Sequence, residues 1–119
     1  MKYMLLIHQG DTPTPRDPEA WATLSEDEQK AVYADYQAIN QTPGVTPGLG
    51  LDAPETATTV RVQDGKTLTT DGPFVAVKEA LGGWFLFEAD DLDAAIELAS
   101  RVPAARMGGA VEVRPVVEY

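Results

Sequence analysis

A chain of 119 residues folds as one domain, here residues 1–119, and at that length buries roughly two-thirds of the surface its unfolded form exposes. With 44% hydrophobic and 24% charged residues it is not a largely disordered chain. Nine basic residues against 19 acidic ones, a formal charge of -10, disfavour nucleic acid and anionic membranes as partners; the lack of cysteine excludes disulfides, thiolate metal sites and cysteine nucleophiles.

Tyr3 to His8 is apolar on both parities and runs into Gly10, Pro13, Pro15 and Pro18, which predicts a buried first strand followed by an irregular loop. The apolar run is too short for a signal-peptide core or a bilayer span, so the expected location is cytoplasmic. Ser25 and Glu28 have capping-box spacing, and Val32, Tyr36 and Ile39 recur at helical intervals, so a helix is predicted from Glu26 to Asn40, before Pro43-Gly44. The glycines Gly44, Gly48 and Gly50, interrupted by Pro47, read as a loop. Thr58 to Gln63 alternates, with Val60 and Val62 on one face and Thr59, Arg61 and Gln63 on the other. Asp64-Gly65 then supplies a type I′ turn into Lys66 to Thr70.

Trp84 to Phe87 is again apolar on both parities, and Asp90 or Asp91 caps a helix whose predicted apolar face is Leu92, Ala95, Ile96 and Ala99. Val111 to Val117 closes the series as a strand with Val111 and Val113 on one side and Glu112, Arg114 and Val116 on the other; Pro115 suits a sheet edge. Strand, helix, hairpin, strand, helix, strand is a ferredoxin-like βαββαβ order of the α+β class, with an extra hairpin strand. Two helices cover one sheet face, so the second, bearing Met4 and Leu6 or their neighbours, needs a partner; a homodimer packed face to face supplies it.

His8 is the only histidine and ends the first strand, either as a polar residue bonded to backbone or as a general acid or base. Asp71 precedes Gly72-Pro73; it either closes an Asx-type turn or presents a carboxylate toward His8 or a ligand. Arg61, Arg114 and Lys78 are candidates for holding an anionic substrate, against the plainer reading of ion-paired surface residues. If both arginines point into the uncovered sheet face, that face is a wet cleft and not a dry interface. Tyr3, Tyr33 and Tyr36 read as core or interface aromatics. One histidine and no cysteine argue against a zinc or non-haem iron site, and the usual nucleotide-binding glycine motifs are absent, so no metal and no cofactor are expected.

Lys2 to Ile7, Thr59-Val60-Arg61-Val62 with Asp64-Gly65, Thr70-Asp71-Gly72-Pro73-Phe74, Lys78-Glu79, Leu81-Gly82-Gly83, Asp91 to Ala95, Pro103-Ala104-Ala105 and Val111 to Pro115 together resemble the YCII-related proteins, specifically their DGPF subgroup. The resemblance covers nearly the whole chain and implies a dimeric α+β barrel of ferredoxin-like subunits. In the wider family, whose members are mostly uncharacterised, an enzymatic role has been inferred from a His–Asp pair in a cleft. Through the Gly-Pro that follows it, Asp71 takes the place of that aspartate. The family's histidine lies on the first helix, and Glu26 to Asn40 holds none, which leaves His8. Val75-Ala76-Val77 stands where the subgroup usually has Ala-Glu-Thr.

The expected function is that of a small-molecule enzyme or ligand-binding protein with its cleft on the uncovered sheet face. Asp71 and His8 would supply acid–base chemistry there, and Arg61, Arg114 and Lys78 would hold the substrate. A non-catalytic regulatory or interaction domain is the alternative, since the resemblance adds that relatives occur beside or fused to extracytoplasmic-function sigma factors. A structural dimer with a fully packed interior is the third reading.

Overall fold

A computed structural model of the chain describes residues 1–72 and 81–118. Two strands apolar on both parities, β1 (Lys2–His8) and β5 (Leu81–Glu88), pair antiparallel at the centre of a four-stranded sheet. The expected Val111 strand forms β6 (Ala110–Pro115), which pairs with the other side of β1 and leaves Pro115 on the sheet edge, where a missing N–H breaks no ladder bond. Tyr3, Leu5 and Ile7 face the helices and are buried; Met4 and Leu6, on the opposite parity, are half-buried. The register carries this alternation across the sheet, with Leu5 opposite both Phe85 and Val113, and Leu6 opposite Trp84 and Glu112.

Helix α1 (Pro18–Trp21) is one turn, capped by Asp17. The predicted first helix is α2 (Glu26–Asn40), and its capping box is formed: Glu28 N–H donates to Ser25 Oγ at 3.1 Å and Ser25 N–H to Glu28 Oε1 at 2.9 Å. The Ser25 backbone N–H, then its hydroxyl, hold the exposed Glu28 carboxyl below its usual range. A depressed carboxyl stabilises the fold above its unfolded-state value, and this support is lost as pH falls through the folded value. Ser25→Ala should cost about 0.5–2 kcal/mol by urea denaturation at neutral pH, with a smaller loss in acid. An equal loss at both values would mean that the Ser25 hydroxyl contributes nothing to holding the Glu28 carboxyl down.

Asp91 caps α3 (Leu92–Ser100) through the Ala94 N–H at 2.9 Å, and Pro103 opens a short α4 (Pro103–Arg106). The buried face of α3 is Ala95, Leu98 and Ala99, whereas Leu92 and Ile96, expected inside, are 48% and 50% exposed. Leu98, Val102 and Ile39 of α2 instead meet the Tyr3, Leu5 and Ile7 side of the sheet in one core.

Two further expectations are corrected. Val45–Gly50, read as a loop, is a strand, β2, that pairs antiparallel with β5 and completes the order β2-β5-β1-β6. Glycine is what the site demands: at position 48 a Cβ would collide with the Trp84 carbonyl and indole. The hairpin β3 (Thr58–Gln63) and β4 (Lys66–Asp71), expected at the sheet edge, forms a separate two-stranded sheet. Its turn is as predicted, with positive φ at both Asp64 (51°) and Gly65 (75°). The result is a mixed α+β fold with antiparallel sheets and, among the described residues, four α-helices. No helix among the described residues is long and apolar enough to cross a membrane.

Candidate functional site

His8 ends β1, and its Nε2 lies 3.3 Å from Glu112 Oε1; Glu112 Oε2 in turn meets Arg114 Nε at 3.2 Å. Register explains the group. Glu112 stands opposite Leu6 and Arg114 opposite Met4, so all three residues share the sheet face turned away from the helices. Arg114 is therefore on the expected face, already paired with a carboxylate. Arg61 is not, because it belongs to β3 in the separate hairpin, opposite Leu68.

Asp71 is the last residue of β4, exposed, and in register with Thr58. The turn that follows is held by Gly72, with φ 97°, whose N–H donates to the Ala57 carbonyl at 2.7 Å and whose own carbonyl accepts from Thr59 Oγ1 at 2.8 Å. The glycine of the motif thus closes the base of the hairpin. The two residues expected as an acid–base pair, His8 and Asp71, stand in different sheets. Lys78, Pro73-Phe74 and Val75-Ala76-Val77 lie outside the described residues. Among the described residues no cluster of three or more His, Asp or Glu could hold a metal.

On the helix side of the sheet is a cavity of about 390 Å³, within the range of small-molecule sites. The proline-rich stretch between β1 and α1 forms one wall, α2 a second, and β2 with the start of β5 a third. Two aromatic pairs border it: Trp21 and Tyr33 meet edge to face with centroids 5.6 Å apart, and Tyr36 stacks on Phe85 at 6.2 Å. Glycines let the walls come close. A Cβ at Gly82 would strike the Gln9 side chain, and one at Gly50 the Arg16 guanidinium.

Among the described residues Arg16 is the sole charged one of the lining, in a chain with 19 acidic residues and nine basic ones. Burial pushes the Tyr36 phenol above its usual range, while the Gln9 amide, Arg16 and Arg106 oppose that shift and Asp35 adds to it. The Tyr36 hydroxyl is accordingly protonated at neutral pH and can donate. Among the described residues Gln9 Oε1 and Thr12 Oγ1 in the same wall are buried without a hydrogen-bond partner, a state that is rare in folded proteins. None of His8, Asp71, Arg61 and Arg114 lines this cavity. Sequence reading missed Gln9, Arg16 and Tyr36 as site residues. Their one signal was an arginine within a proline-rich loop facing a helix with two tyrosines.

An α+β subunit with an aromatic, cation-rimmed cavity between helix and sheet is the class that the geometry defines. Over residues 1–119 the chain matches the YCII-related domain, and it belongs to that family. It is similar to an uncharacterised protein of Rhizobium meliloti (strain 1021), with 33% identity over 124 residues that span all of this chain and 94% of the relative.

Proposed function

We propose that the protein is a small-molecule-binding member of the DGPF subgroup, with a ferredoxin-like subunit, and that its ligand occupies the cavity between α2, β2 and the proline-rich loop. The cavity itself is the observation that carries the reading: a concave, aromatic-walled space with few polar groups is the usual form of a ligand site. The strand order supports the ferredoxin-like assignment, since β1 and β5 are central and β2 and β6 flank them. Met4, Leu6, Trp84 and Leu86 form a half-buried apolar patch on the other face, which suits pairing with a second copy as a dimeric barrel.

A ligand present at a hundred times its Kd stabilises the folded state by about 2.7 kcal/mol. A thermal-shift screen of small metabolites should therefore find compounds that raise Tm and move the amide resonances of Gly50 and Gly82. Compounds that raise Tm while moving only resonances elsewhere, or no active compound, would sink the reading.

A second reading keeps acid–base chemistry, with Asp71 and His8 as its groups and Arg61, Arg114 and Lys78 as anion holders. One observation supports the histidine's part in it, the His8–Glu112 pair, which gives His8 a carboxylate partner, though that carboxylate is Glu112 and not Asp71. Turnover of a compound found in the screen that survives both Asp71→Asn and His8→Gln would eliminate it. A regulatory role beside a sigma factor has its support only in the family resemblance, and the net charge of -10 suits a basic partner.

A further inference from the structure

Resting on the ligand-binding reading above, the geometry points to a small aromatic carboxylate as the ligand class, its carboxylate on Arg16 and a polar group at the far end of its ring meeting the Tyr36 hydroxyl and Gln9 amide. Charge gives the first half of the argument. Among the described residues no aspartate or glutamate lines the cavity, although acidic residues outnumber basic ones about two to one in the chain. The guanidinium of Arg16 is packed over the Gly50 backbone, where a side chain would displace it. An arginine held in this way presents its planar fork to a carboxylate, a geometry a lysine cannot reproduce.

The apolar walls give the second half. Trp21 and Tyr33 on one side and Tyr36 with Phe85 on the other present ring faces and edges, which favour a flat aromatic body over a branched aliphatic one. Deeper in, Ile7, Val32 and Pro103 offer no polar group. Away from Arg16, Gln9, Tyr36 and Thr12 place hydrogen-bonding groups along the lining, so a ligand with a second hydrogen-bonding group is preferred to one without.

The probes are 4-hydroxybenzoate, benzoate, 4-hydroxybenzamide and cyclohexanecarboxylate, titrated by calorimetry and by amide NMR shifts into the native protein, Arg16→Gln and Tyr36→Phe. The native protein should bind 4-hydroxybenzoate at least about tenfold more tightly than the neutral amide or the saturated acid. Arg16→Gln should remove the preference over the amide while leaving Tm within a degree or two, because Arg16 is exposed. Tyr36→Phe should weaken 4-hydroxybenzoate several-fold and leave benzoate unchanged. Equal binding of acid and amide, or an Arg16→Gln protein that keeps the preference, would overturn the assignment of the ligand class. A neutral compound that shifts the Gly50 and Gly82 resonances where no carboxylate does would overturn the class while preserving the cavity as the binding site. Shifts confined to the other face of the sheet would overturn both.

Discussion

Leu5→Ala is expected to destabilise the protein by about 2–5 kcal/mol, read as a lower urea midpoint at constant m-value. Leu5 is wholly buried in the middle of the central strand, with Phe85 on one side in register and Val113 on the other, and its side chain meets the helices. Truncation removes apolar contact and opens a hole between three rigid elements, which cannot all move inward. Met4→Ala on the adjacent position provides the contrast. Met4 faces away from the helices and is half-buried, so measured under conditions that keep the chain monomeric its loss should stay below that of Leu5. Equal losses at the two positions would contradict the assignment of the core to the Tyr3, Leu5 and Ile7 side.

The second large effect concerns assembly. With Met4, Leu6, Trp84 and Leu86 packed against the same patch of a second copy, sedimentation equilibrium at micromolar concentration should give twice the chain mass of 12.8 kDa. Leu6→Asp should give the single mass. The new carboxylate would sit opposite Glu112 in register and be buried in the proposed interface, so charge repulsion and desolvation act together. The core on the far side of the strand is untouched, and far-ultraviolet circular dichroism should show a folded monomer. A native protein already monomeric at micromolar concentration would remove the face-to-face dimer altogether.

Those elements whose side chains carry their own pattern were legible in the sequence. β1 and β5 announced themselves by apolar residues on both parities, α2 by the Ser25–Glu28 box, β6 by Val111 and Val113, and the hairpin turn by Asp64-Gly65. β2 was hidden because it joins the sheet through its main chain while glycine and proline occupy half of its positions, and neither period nor propensity reports a strand of that kind. The exposure of Leu92 and Ile96 was equally hidden: several faces of a nine-residue helix hold apolar residues, and packing against α4 and β6 selects one.

The site was less legible than the fold. Its walls come from segments as distant in the chain as Gln9 and Gly82, so the approach of Arg16 to Gly50 and of Gln9 to Gly82 exists only once the chain has folded. The pairing of His8 with Glu112 depends on the register of β1 against β6, which alternation alone does not set. Gly72 was read as supplying an unusual backbone dihedral, and its positive φ and hydrogen bonds show what it closes.

The position of β1 between β5 and β6 imposes an order on synthesis. β1 is made before both of its neighbours, with Leu5 paired to Phe85 and Val113. Until Glu88 has emerged neither ladder can be completed, and until Pro115 has emerged the β6 side stays open, while α2 and the hairpin can form from local contacts alone. Closing such distant pairings is slow relative to helix formation, and the waiting strand is a template for the wrong neighbour. Nascent chains stalled before Gly109 should therefore be the ones that chaperones hold, with release following once β6 has left the exit tunnel.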